Sequence, residues 1–141
     1  MFFNYEKYGC SKMLNDKRIW IGFIVTILIS SLIGELNSFT GPEDYTSFML
    51  TNVFSMFVSA AAGAFIARRI QFMVFWIAYF ILANAFSYWA VFSVAAGETP
   101  LFEIIGDNSG WGGLYLLAGV AGVYIGVYCS RAFTSQAKIQ A

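Results

Sequence analysis

Glu35, Asn52, Asn84 and Ser87 are the polar side chains that interrupt otherwise apolar stretches, so they are the first candidates for chemistry. Together they could line a path for an ion or small solute, with the Glu35 carboxylate as a cation-attracting mouth. Counted at ~1.5 Å per residue from the basic ends of their stretches, Ser30, Ser31, Asn52, Asn84, Ser87 and Tyr115 share a layer roughly 18–24 Å deep. The same groups also serve as glue between helices, at around 0.6 kcal/mol per hydrogen bond in lipid. Spacing alone leaves both readings open. Glu35 falls in the last turn of its stretch, where it can equally reach an interface. No charge sits near the middle of any stretch, whereas coupled carriers commonly keep one there.

Arg68 and Arg69 are adjacent and could bind an anionic lipid head group, or simply orient the chain. Cys10 and Cys129 have no histidine to join them, because the chain contains none. This removes haem, most zinc sites and every Ser–His or Cys–His pair. Paired aspartates at membrane depth and a glycine-rich phosphate loop followed by lysine are also missing. The expectation is a chain without catalytic residues, metal or cofactor. The acidic residues at the opposite end from the arginines form no Asp-x-Asp calcium loop.

Two stripes of small residues recur at every fourth position. One is Ser55, Ser59, Gly63 and Ala67; the other is Ala118, Gly122, Gly126 and Ser130. A four-residue step keeps side chains on nearly one helical face. Small residues there let a second backbone approach closely, which is how membrane helices associate. The stripes could close a bundle within one chain, form a seam between copies, or dock a foreign helix.

The elements that carry these residues follow from composition. The chain has 141 residues, 59% apolar, 19% aromatic and 11% charged, with eight basic and eight acidic side chains. Mean hydropathy is +0.67, far from a disordered chain. The balanced charge excludes a phosphate-tracking nucleic-acid binder. A single transmembrane domain is expected, with spans over residues 19–36, 45–67, 70–96 and 111–130 between cytoplasmic tails 1–18 and 131–141. Backbone groups in lipid must be satisfied within the segment, so the spans are helices. The first is longer than a signal-peptide core and no A-x-A-like site follows it, so it reads as a retained anchor. The leader, with Phe2, Phe3, Tyr5 and Tyr8 among Lys7 and Lys12, is either a surface-lying segment or a loosely ordered tail.

Thr40-Gly41-Pro42-Glu43-Asp44 and Thr99-Pro100 read as helix starts. Gly106 reads as a stop and Asp107-Asn108-Ser109-Gly110 as a turn, so a short interfacial helix over Leu101, Phe102, Ile104 and Ile105 is expected before the fourth span. Lys7, Lys12, Lys17, Arg18, Arg68, Arg69, Arg131 and Lys138 all fall at one end of the bundle. Glu35, Glu43, Asp44, Glu98, Glu103 and Asp107 fall at the other. The positive-inside rule then puts both termini in the cytoplasm. Trp20, Trp76, Trp89 and Trp111 are placed as an aromatic belt.

The sequence therefore predicts an all-α, four-helix membrane bundle, N-in and C-in, multi-pass in a cell membrane, with a bacterial inner membrane the economical choice. Its expected role is that of a non-catalytic accessory or assembly subunit. It would dock through its small-residue faces against another membrane protein or a second copy, with lipid as its other partner. The alternative is a small oligomeric channel or transporter with its polar pathway in the outer half.

Overall fold

The computed structural model describes residues 15–40, 44–94 and 101–139; within the helices, the side chains of residues 38, 40, 87–94, 101–109 and 136–139 are not described. Among the described residues four helices follow one another: α1 (Lys17–Thr40), α2 (Tyr45–Ala67), α3 (Phe72–Val94) and α4 (Leu101–Ile139). The leader with Cys10, the Gly41–Glu43 start and Glu98-Thr99-Pro100 lie outside the described residues.

Local chemistry explains most of the ends. Asp44 is the N-cap of α2: its backbone is extended (φ −146°, ψ 161°) and its side chain accepts from the Ser47 N–H at 2.6 Å. Arg68 ends α2 in the left-handed conformation (φ 57°, ψ 16°), and its N–H donates to the Ala64 carbonyl at 2.9 Å. A chain of short bonds then starts α3, including Phe72 N–H to Arg69 O at 3.1 Å and Met73 N–H to Ile70 O at 3.0 Å.

The fourth helix departs from expectation. It runs unbroken for 39 residues through Gly106 and through Asp107–Gly110, with no separate interfacial helix and no turn. A lone helical glycine costs only about 1 kcal/mol, and polar residues cost less, so these positions weaken a helix without stopping it. No proline lies within Leu101–Ile139 to remove a donor. At 1.5 Å per residue α4 is about 58 Å long, well beyond a hydrocarbon core of ≈ 30 Å.

Among the described residues three helical segments are long and apolar enough to cross a membrane: Lys17–Asn37, Tyr45–Ala67 and Gly110–Ser135. The apolar stretch described in α3, Phe72–Phe86, is shorter. Large apolar side chains point outward along all four helices, among them Leu28, Leu32, Phe54, Leu82, Leu117 and Tyr128. Together these features define a helical integral membrane protein.

Helix α2 is the axis of the bundle, packed on α1 along one side and α4 along another. Its pairing with α1 is antiparallel: Gly22 meets Gly63 near one end, and Asn37 donates to the Phe48 carbonyl at the other. Its pairing with α4 is parallel, from Tyr45 against Trp111 to Phe65 against Phe133. The buried core collects Ile19, Ala60, Ala64, Ala67, Phe72, Trp76, Val123 and Val127. All of these lie toward the arginine-bearing end. Helix α3 is buried at Phe72 and Trp76, and none of its described residues beyond Trp76 is buried.

Trp76 corrects one element of the expected aromatic belt. Its ring is fully buried, lies over Gly119 and stacks on Phe80 with centroids 5.5 Å apart. Glycine at position 119 leaves the space that an indole fills. Trp20 is 42% exposed and meets Phe75 edge-on, while the side chain of Trp89 is outside the described set.

Candidate functional site

The basic end of the bundle is assembled from three separated pieces of chain. Asp16 opens α1: its Oδ1 accepts from the Arg18 N–H at 3.0 Å, and its carbonyl accepts from the Ile19 N–H at 3.0 Å. The second carboxylate oxygen, Oδ2, lies 2.9 Å from Arg69 Nε. One side chain thus caps α1 and ties it to the α2–α3 turn.

Arg68 and Arg69, which by sequence either orient the chain or bind a head group, are sent to different places. The left-handed backbone at Arg68 reverses the chain direction between them. Arg69 turns to Asp16. Arg68 instead lines an open cleft of about 460 Å³ with Arg18, Ser130, Arg131, Thr134 and Ser135. A smaller hollow of about 240 Å³ adjoins it, lined by Arg18, Phe65, Ile66 and Arg68. Ser130 Oγ donates to the Val127 carbonyl at 2.7 Å, and Thr134 Oγ1 to the Ser130 carbonyl at 2.8 Å. Those bonds hold both hydroxyls along the α4 wall of the cleft. Among the described residues no carboxylate pairs with Arg18, Arg68 or Arg131. The described lining of the cleft carries concentrated positive charge and hydroxyl groups.

The expected polar layer resolves into pairs between helices. Ser30 Oγ and Tyr79 OH are 2.9 Å apart across α1 and α3. Tyr115 donates to Met49 Sδ at 2.7 Å across α2 and α4. Asn84 bonds within its own helix, Nδ2 to the Phe80 carbonyl at 2.7 Å. Glu35 is exposed, and its carboxylate has no hydrogen bond or ion pair among the described residues. The side chain of Ser87 is outside the described set.

The two small-residue stripes meet different neighbours: the α4 stripe lies on α2, and the α2 stripe lies toward α1. Gly122 lies against Phe57 and Ala60, and Gly126 against Ala61 and Ala64. Ser55, Ser59, Gly63, Ala67 and Ser130 are buried, and Ala118 is half-buried. The opposite side of α2 receives α1. Thr26 Oγ1 bonds to the Gly22 carbonyl at 3.0 Å and the Ser59 carbonyl at 3.2 Å, sitting over Gly63. Gly22, Thr26 and Ser30 therefore form a third stripe at four-residue spacing, which the sequence reading passed over. Asp16 was missed as well, although an aspartate directly before Lys17 has the form of a helix cap. Arg18 and Arg131 had been read only as orientation signals, and nothing in their spacing announces a common cleft.

Comparison with known families, curated proteins and solved structures finds no match for this chain. What the fold and site define is the class alone: a helical membrane protein with an arginine-lined cleft at one end.

Proposed function

We propose that the protein is a small polytopic membrane protein with a non-catalytic role, an accessory or assembly subunit held against another membrane protein or a second copy. The observation that carries this reading is the chemistry of the interior. The buried polar side chains are Thr26, Asn37, Ser55, Ser59 and Ser130, and no charged side chain is buried among the described residues. An interior of alanine, glycine and serine in backbone-to-backbone contact holds helices together.

With the small face of α4 set on α2 and that of α2 set on α1, a partner would meet the bundle elsewhere. Helix α3 is the natural place, because among its described residues Phe72 and Trp76 alone are buried, and Val74, Ile81, Leu82 and Phe86 are exposed. In this reading α3 is a fourth span, both termini are cytoplasmic, and the protein resides in a cell membrane, by economy a bacterial inner membrane. The distribution of basic residues supports that orientation.

A mild-detergent pull-down of tagged protein from its native membrane, with native mass spectrometry on the eluate, tests the proposal. A stoichiometric foreign subunit, lost when Leu82 and Phe86 are changed to alanine, is the expected result. A homo-oligomer that conducts solute into liposomes, with flux abolished by Glu35→Gln and Asn84→Leu, would replace the subunit reading with a channel or transporter.

A further inference from the structure

We infer that the cleft between Arg18, Arg68 and Arg131 binds a phosphate-bearing anion, with the adjoining hollow at Phe65 and Ile66 shaped to take apolar chain beside it. The inference rests on the cleft and is independent of the subunit reading.

Three features carry it. First, guanidinium groups from α1, the α2–α3 turn and α4 line one cleft of about 460 Å³, with no described carboxylate paired to any of them. Like charges gathered this closely repel, and the arrangement is relieved by a bound counter-anion. Asp16 is the nearest acid in the chain to Arg18, and its Oδ2 is engaged by Arg69. Second, the ligand class follows from the donors. Planar guanidinium forks match the paired oxygens of phosphate, and hydroxyls such as that of Ser135 add single donors. Among the described residues Ser135 Oγ has no hydrogen-bond partner, whereas Ser130 and Thr134 donate to their own helix. Third, the hollow of about 240 Å³ shares Arg18 and Arg68 with the cleft and continues onto Phe65 and Ile66. A group that is anionic at one end and apolar beside it fits both spaces. This end of the bundle carries Lys17, Arg18, Arg68, Arg69 and Arg131, and anionic lipid is attracted to basic segments of this kind.

Phosphate chemistry is supplied either by an anionic phospholipid or by free phosphate, and the experiment separates the two. Full-length protein is delipidated in mild detergent and offered phosphatidylglycerol or phosphatidylcholine. Retained lipid is read by native mass spectrometry, and the helical circular dichroism signal verifies folding. The parent should retain phosphatidylglycerol in preference to phosphatidylcholine. Arg18→Gln and Arg131→Gln should each lower that retention about tenfold, the worth of one charge-assisted hydrogen bond to phosphate. Lys17→Gln removes a charge from the same end without lining the cleft and should leave retention unchanged. If millimolar inorganic phosphate displaces the lipid, free phosphate shares the site; if it does not, the apolar hollow selects lipid, and either result supports a phosphate site. Equal retention of the two lipids by the parent, together with no binding of inorganic phosphate, would overturn the inference without recourse to any variant. So would an equal loss for Lys17→Gln and Arg18→Gln.

Discussion

The hydroxyl oxygen of Thr26 occupies the space in which a Cβ on Gly63 would stand. From there it bonds to the Ser59 carbonyl at 3.2 Å, so α1 and α2 are in contact at the level of their backbones. Gly63→Ala would also bring a methyl to 2.7 Å from the Gly22 carbonyl oxygen and 2.8 Å from Phe72 Cζ. The expected cost is about 1–3 kcal/mol of bundle stability, as for other overpacked cores. Thr26→Ala removes one of the obstructing groups, so Thr26→Ala/Gly63→Ala should lose less than the two single changes summed. A denaturant titration in detergent micelles, followed by circular dichroism, measures the coupling.

Gly119 bears the same relation to the Trp76 ring, whose six-membered edge fills the position a Cβ would take. Gly119→Ala should push the indole out of its pocket, since Trp76 is fully buried and cannot yield locally. Its fluorescence should shift to the red, and α3 should loosen. Among the described residues the indole Nε1 has no hydrogen-bond partner, so Trp76→Phe forfeits no bond to them and removes a buried donor whose desolvation costs about 1–3 kcal/mol. That saving works against the lost ring volume. Trp76→Phe should therefore be milder than Trp76→Ala in the same titration.

At position 68 stability and ligand affinity should move in opposite directions. An arginine in the left-handed region costs roughly 1–2 kcal/mol relative to the ordinary helical one, and glycine escapes that cost. Arg68→Gly should therefore stabilise the α2–α3 turn by about 1 kcal/mol while weakening retention of phosphatidylglycerol. Parallel melting and lipid-retention measurements on this variant check both signs. A variant that loses both would show that the guanidinium supports the turn itself.

The Asp44 carboxyl is held below its ordinary value of 3.8, first by the backbone N–H of Ser47 and then by the Ser47 side chain. The folded form thus favours the ionised cap, and its contribution is present above 3.8 and is lost as pH falls through the lower folded value. The start of α2 should fray under acid in that window. Asp44→Asn keeps an acceptor that does not titrate, and should flatten the acid response. Edge-on contact of Tyr45 with Trp111 places a fluorescent reporter beside this cap.

Much of the architecture was readable from neighbours in the chain. The apolar stretch from Tyr45 to Ala67 carries its own limits, because Asp44 caps one end and Arg68 reverses the chain at the other. The stop at Gly106 was misread, because glycine and a polar tetrad also signal a turn and differ from helix by only about 1 kcal/mol. The small-residue stripes were visible as faces, yet a glycine face suits a helix of the same chain as well as a foreign one. Only the packing of Gly122 and Gly126 on Ala60, Ala61 and Ala64 makes the choice.

Hydropathy, capping and the segregation of basic from acidic residues are set by groups close together in the chain, and these alone specify a helical membrane protein with one basic end. The divergence of Arg68 and Arg69, the burial of Trp76 and the shared cleft of Arg18, Arg68 and Arg131 depend on contacts between residues tens of positions apart. Such contacts are settled when helix faces compete for one another during packing, where a single methyl at Gly63 or Gly119 changes the outcome. No one-dimensional pattern records which face wins.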